Sequence, residues 1–123
     1  MDAHGGWIAS SEELCDFACG VTSPDRCKIL KPESVRALFE RPEGEKGAVY
    51  YGKGWVVRPF GSDKFSAWHD GTIEGSSCLL VHRADGVTFA VLFNSRDKDR
   101  KLEPAGEIEL PLHLAANAVF SGK

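Results

Sequence analysis

Apolar positions along this chain keep a helical spacing toward both ends and a strand-like spacing between them. In SSEELCDFAC, which begins at Ser10, the residues Leu14, Phe17 and Ala18 fall on one helical face. Ser10 followed by Glu13 is a capping-box pair, so a short helix is predicted from about Ser11. GVTSPDRCK reads as a loop from its Gly, Ser, Pro and Asp residues. KPESVRALFERP predicts a second short helix, with Pro32 suited to the first turn, Pro42 to a stop, and Val35, Leu38 and Phe39 spaced to face a core. A closing helix is predicted in LPLHLAANAVF, starting at Pro111 and turning Leu112, Ala115, Ala116 and Val119 inward.

The texture changes at Tyr50. YYGKGWVVRPF, rich in aromatic and β-branched residues, predicts a strand with a close backbone approach at Gly52 or Gly54. KFSAWH, SSCLLVHR and VTFAVLFN predict three more, and Ala84-Asp85-Gly86 joins the last two as a tight hairpin. The apolar run Ala90–Phe93 predicts a strand covered on both faces. The expected fold is therefore α+β: an antiparallel sheet of about three to four strands with helices packed on its faces. It forms one domain over residues 1–123, with a helical segment 1–45, strands over 46–96, and a loop and helix over 97–123. Trp7, Trp55 and Phe93 are expected to be largely buried.

A chain of 123 residues supports one core. The formal charge of −3 comes from 18 acidic and 15 basic residues with no long run of one sign, which gives no footprint for nucleic acid. SRDKDRKLEPAGE mixes both signs and reads as a solvated loop. No stretch has the length of a membrane span, and MDAHGGWIAS lacks the basic start and apolar run of a secretory signal. Composition and spacing imply no cofactor. Cys15 and Cys19 lie four apart, on one helical face, and with Cys27 and His4 could supply four zinc ligands. The spacing is not that of a CxxC pair, and packing as small core residues is the plainer reading. In an oxidising compartment a Cys19–Cys27 bridge would close a short loop. The state of Cys78 is left open.

AWHDGTIEG, residues 67–75, ends one predicted strand with a histidine, an aspartate and two glycines. A lone histidine at a strand end is ordinarily structural. Here it stands in series with HGGWIASSEEL, YYGKGWVV and DGVTFAVLFN, and this series resembles the C-terminal part of the serine β-lactamase and penicillin-binding-protein-like hydrolases. Within these hydrolases it resembles the class C type branch, with its esterases and D-amino peptidases, and the resemblance covers nearly the whole chain.

The resemblance implies acyl-enzyme hydrolysis of an ester or amide in an intact relative. It places His69, Asp70, Gly71 and Thr72 on the strand bordering the active site, where other members carry Lys-Thr-Gly. His69 would face a substrate carboxylate or the proton relay, Gly71 would admit substrate close to the backbone, and the N–H near Thr72 would donate to an oxyanion. Gly75 matches the second glycine. Asp70 departs from the small or hydroxyl residue usual at its position.

The family's Ser-x-x-Lys nucleophile and Tyr-x-Asn or Tyr-x-Ser proton shuttle have no counterpart in place. Only Ser95 has a lysine three residues on, Lys98, and it follows the last strand instead of opening a buried helix. The chain alone is expected to be inactive, so no residue is assigned as catalytic. In the family the strand matching Val87–Asn94 is interior and pairs with N-terminal strands. The edge carrying Val87, Phe89, Val91 and Phe93 is thus expected to be open and covered by a second copy, as a homo-oligomer. A non-catalytic dimerisation module and a small zinc protein are the alternatives.

Overall fold

The capping box forms. The Ser10 hydroxyl accepts the Glu13 N–H at 3.2 Å, the Glu13 carboxylate accepts the Ser10 N–H at 2.7 Å, and helix α1 (Ser11–Val21) follows. These contacts belong to a computed structural model that describes residues 6–95 and 103–120. Helix α2 (Pro32–Leu38) has Pro32 in its first turn, where a missing N–H costs nothing.

Five strands follow: β1 (Tyr50–Tyr51), β2 (Val56–Phe60), β3 (Lys64–Ile73), β4 (Ser76–His82) and β5 (Thr88–Phe93). They form one antiparallel sheet in sequence order, and helix α3 (Pro104–Phe120) closes the α+β fold. The sheet has five strands, not three to four, because the run from Tyr50 is a hairpin. The Gly52 N–H donates to the Trp55 carbonyl at 2.7 Å, the Lys53 N–H donates to the Leu38 carbonyl at 2.8 Å, and Gly54 turns the chain at φ +85. A Cβ on Gly52 would sit 2.5 Å from the Leu38 oxygen, so this glycine is the close approach itself.

The β4–β5 connection is the expected hairpin. The Arg83 N–H donates to the Val87 carbonyl at 2.8 Å and Gly86 sits at φ +88, which is a type I turn followed by a glycine bulge.

Helix α3 starts at Pro104, not at Pro111, which lies inside it. Pro104 occupies the opening turn, and the α3 N-terminus is tied to the sheet by the Ala105 N–H donating to the buried Ser77 hydroxyl at 3.3 Å. Residues 96–102 of the charged loop lie outside the described residues.

Alternation along β4 builds two cores. On one face, α1 and α2 cover Ala18, Val21, Val35, Phe39, Tyr50, Trp55, Val57 and Ala67, with Leu80 packed against them. On the other, Ala105 of α3 meets Leu79 and Val81, with Trp68, Phe89 and Val91 around them. Helices thus lie on both faces of β5, as its apolar run implies. Of the three aromatic residues expected inside, only Trp55 is buried. Trp7 is 85% exposed because it precedes the first helix cap, and Phe93 is half-buried at the last position of its strand.

Arg83 clamps α3 to the β4–β5 hairpin. Its Nε and Nη2 donate to the Asp85 carboxylate, Nη1 reaches the His113 carbonyl at 3.2 Å and its Nδ1 at 3.1 Å, and Nη2 also donates to Asn117 Oδ1 at 2.6 Å. The Arg83 hydrogen bonds hold the Asp85 carboxyl below its usual range, against a smaller opposing effect of burial. A depressed carboxyl stabilises the fold above its unfolded pKa of about 3.9 and loses that contribution as pH falls through its folded value. The parent is therefore expected to lose stability more steeply than Asp85→Asn on acidification below about pH 4, in urea titrations at stepped pH. Parallel curves would contradict the clamp.

Candidate functional site

Strand β3 is ten residues long and carries the whole predicted motif. Its period of two divides the four residues between faces. His69 and Gly71 follow Ala67 on the α1–α2 face, whereas Asp70 and Thr72 follow Trp68 on the α3 face. The four residues are contiguous along the strand but do not form one surface of side chains.

His69 is exposed beyond the part of the sheet that the two helices cover. Its Nε2 lies 2.8 Å from the Tyr51 hydroxyl, and the two rings meet edge to face with centroids 5.8 Å apart. Tyr51 is the site residue that sequence reasoning missed, because sequence spacing alone does not bring the Tyr51-x-x-Gly54 turn beside His69. Lys53 secures that turn by donating from Nζ to the Ala37 carbonyl at 2.7 Å.

Gly71 pairs across the ladder with Cys78, and a Cβ there would stand 3.0 Å from the Cys78 sulfur. Gly71 and Cys78 form a pair whose backbone groups face each other, so the backbone groups turned to the other side of β3 are those of Asp70 and Thr72. Burial pushes the Cys78 thiol up from its ordinary range, and the Asp70 charge adds to this.

On the opposite face, Asp70 and Thr72 line a cavity of about 450 Å³ with Trp68, Leu79, Glu103 and Glu109. The Thr72 hydroxyl donates to Glu103 Oε2 at 3.1 Å, which ties the strand to the residue preceding α3. Gly75 turns the two-residue β3–β4 loop at φ +79.

The remaining predicted residues do not join this site. Ser95 is exposed just past β5, and Lys98 and His4 lie outside the described residues. All four cysteines are free thiols, so the Cys19–Cys27 bridge does not form: Cys19 bonds to Thr88 of β5, whereas Cys27 packs against the α1–α2 core. Among the described residues, no group of three or more His, Cys, Asp or Glu side chains is placed to hold a metal ion. No described helix is long and apolar enough to cross a membrane.

Comparison with protein-family models, with curated proteins and with solved structures finds no match to this chain. The functional reading therefore rests on the residues and their placement.

Adding a methyl at Gly71 forces the Cys78 sulfur to move within a packed ladder. Gly71→Ala is expected to cost about 1–3 kcal/mol in chemical denaturation, and the Gly71→Ala/Cys78→Ala double variant to be more stable than the sum of the single losses. Strict additivity would show that the two positions do not compete for space.

Proposed function

We propose that this chain is the substrate-facing C-terminal segment of a β-lactamase-like serine hydrolase, a binding wall whose nucleophile and base belong to another segment. The observation that carries the reading is how the four resembling motifs meet. YYGKGWVV touches HDGTIEG through the Tyr51–His69 hydrogen bond, and the helix of HGGWIASSEEL packs on the strand of DGVTFAVLFN through Cys19 and Thr88. Sequence stretches far apart in the chain are thus paired around one sheet, with His69 at its uncovered part and the backbone groups of Asp70 and Thr72 turned away from β4, past the last β2 partner at Val56. The wall offers an imidazole held by a phenol and an open strand backbone, a combination suited to orienting an acyl group and polarising its carbonyl.

Purified chain is expected to hydrolyse neither a chromogenic β-lactam nor a short-chain aryl ester above background. Supplying in trans a segment with Ser-x-x-Lys and Tyr-x-Asn is expected to create turnover that His69→Ala lowers by about tenfold or more, that is ~1.4 kcal/mol. Turnover of the chain alone that disappears in Ser95→Ala overturns the reading, as does restored turnover indifferent to His69.

The β5 edge favours a second reading, a dimerisation module. Val87 accepts from Arg83, so alternation turns the backbone groups of Val87, Phe89, Val91 and Phe93 toward β4 and those of Thr88, Ala90 and Leu92 outward. The strand has neither charge nor proline, and Leu92 is 43% exposed beside it. Pairing of two copies through β5 would satisfy the outward groups of Leu92. Light scattering is then expected to report a dimer that Leu92→Pro dissociates, since proline there removes an outward N–H and leaves the β4 ladder intact. A parent monomeric at high concentration rules this reading out.

A further inference from the structure

We propose that Cys19 is a modification site: it takes up one half of a small disulfide bearing both a carboxylate and an ammonium group, with Thr88 and His82 relaying its proton. Cys19 on α1, His82 on β4 and Thr88 on β5 come from three elements and form one hydrogen-bonded chain. The Cys19 sulfur lies 3.3 Å from Thr88 Oγ1, and Thr88 Oγ1 lies 2.7 Å from His82 Nδ1. A neutral imidazole with its proton on Nε2 gives this chain a direction. The thiol donates to the threonine hydroxyl, which donates to Nδ1. Burial pulls His82 below the ordinary imidazole range, with Asp85 partly opposing it, and so favours that neutral form.

Both ends of the relay open on one cavity of about 470 Å³, which Thr22, Asp25 and Arg26 also line. Arg26 and Asp25 are exposed side chains of opposite sign at its rim. That pair complements an amino-acid-like zwitterion, such as either half of an oxidised peptide thiol. The other thiols are less available: Cys15, Cys27 and Cys78 are half-buried, whereas Cys19 is exposed.

The step balances without an external oxidant. Cys19 loses its proton through Thr88 to His82, its sulfur attacks one sulfur of the disulfide, and a new S–S bond forms as the old one breaks. The departing thiolate takes up the proton, so Cys19 is oxidised to the mixed disulfide and one half of the reagent is reduced to a thiol. Cys15 does not resolve this product. Residues four apart on a helix hold their Cβ atoms about 5–6 Å apart, beyond the roughly 3.5–4.5 Å a disulfide spans.

The test is reaction of the full chain with limiting oxidised glutathione, followed by peptide mass mapping over time. Cys19 is expected to be modified first and to remain a mixed disulfide. Thr88→Val slows that reaction by about tenfold or more, Thr88→Ser restores it, and the Cys27 rate stays unchanged in both. His82→Gln provides a second break in the relay should Thr88→Val fail to fold. Arg26→Gln is expected to slow glutathione disulfide but not cystamine, which has no carboxylate. Glutathione appearing on Cys27 or Cys78 as fast as on Cys19, or a folded relay variant reacting at the parent rate, overturns the proposal. Equal effects of Arg26→Gln on both reagents overturn the zwitterion site.

Discussion

The antiparallel pairing of β3 with β4, from Ala67 opposite His82 to Ile73 opposite Ser76, is the constraint on which the rest of this structure depends. Its period of two assigns each side chain a face, and both cores draw on it. Leu80 goes to the α1–α2 core and Leu79 and Val81 to the α3 core. A slip of one residue would exchange His69 and Asp70 between faces and place apolar side chains where the helices do not cover them. The same pairing sets Cys78 beside Gly71 and turns the backbone groups of Asp70 and Thr72 to the free side of β3.

Polar contacts then secure what the ladder positions. Arg83 uses its guanidinium to join the hairpin at Asp85 to the helix at His113 and Asn117, while Ser77 holds the start of that helix. On the other face a thiol does comparable work: Cys19 of α1 meets Thr88 of β5. His69 lies where the covering helices stop, which leaves it exposed while Tyr51 restrains its ring. An exposed histidine on a strand anchored from both faces is suited to positioning a ligand, because the scaffold gives little when the ligand binds.

Local signals were legible wherever the physics is local. The Ser10–Glu13 capping box, Pro32 in a first turn and the Ala84-Asp85-Gly86 hairpin each satisfy neighbouring backbone groups, and each forms as read. The strand expected from Tyr50 became a hairpin because Leu38, distant in sequence, accepts the Lys53 N–H and forces the turn at Gly52. A first-turn proline and an interior one look alike in sequence, so the start of the last helix at Pro104 instead of Pro111 becomes visible only with the contact between Ala105 and Ser77. Trp7 is exposed, against expectation, because burial depends on a partner surface that a residue ahead of the first helix lacks. HDG was visible as a motif, but its division between two faces follows from register. The partners of His69 and Cys19, and the α3 partners of Arg83, lie 18 to 69 residues away, and no spacing rule points to them.

The claim at the centre of this account is that the β3 wall recognises an acyl substrate in a chain that does not turn it over. Amide chemical-shift mapping of the labelled chain, titrated with an intact β-lactam, tests it most directly. The account predicts saturable shifts concentrated at His69–Thr72 and at the Tyr51–Gly54 turn, with the ligand recovered unhydrolysed. Shifts confined to the cavity beneath α3, or none up to the solubility limit of the ligand, would contradict it.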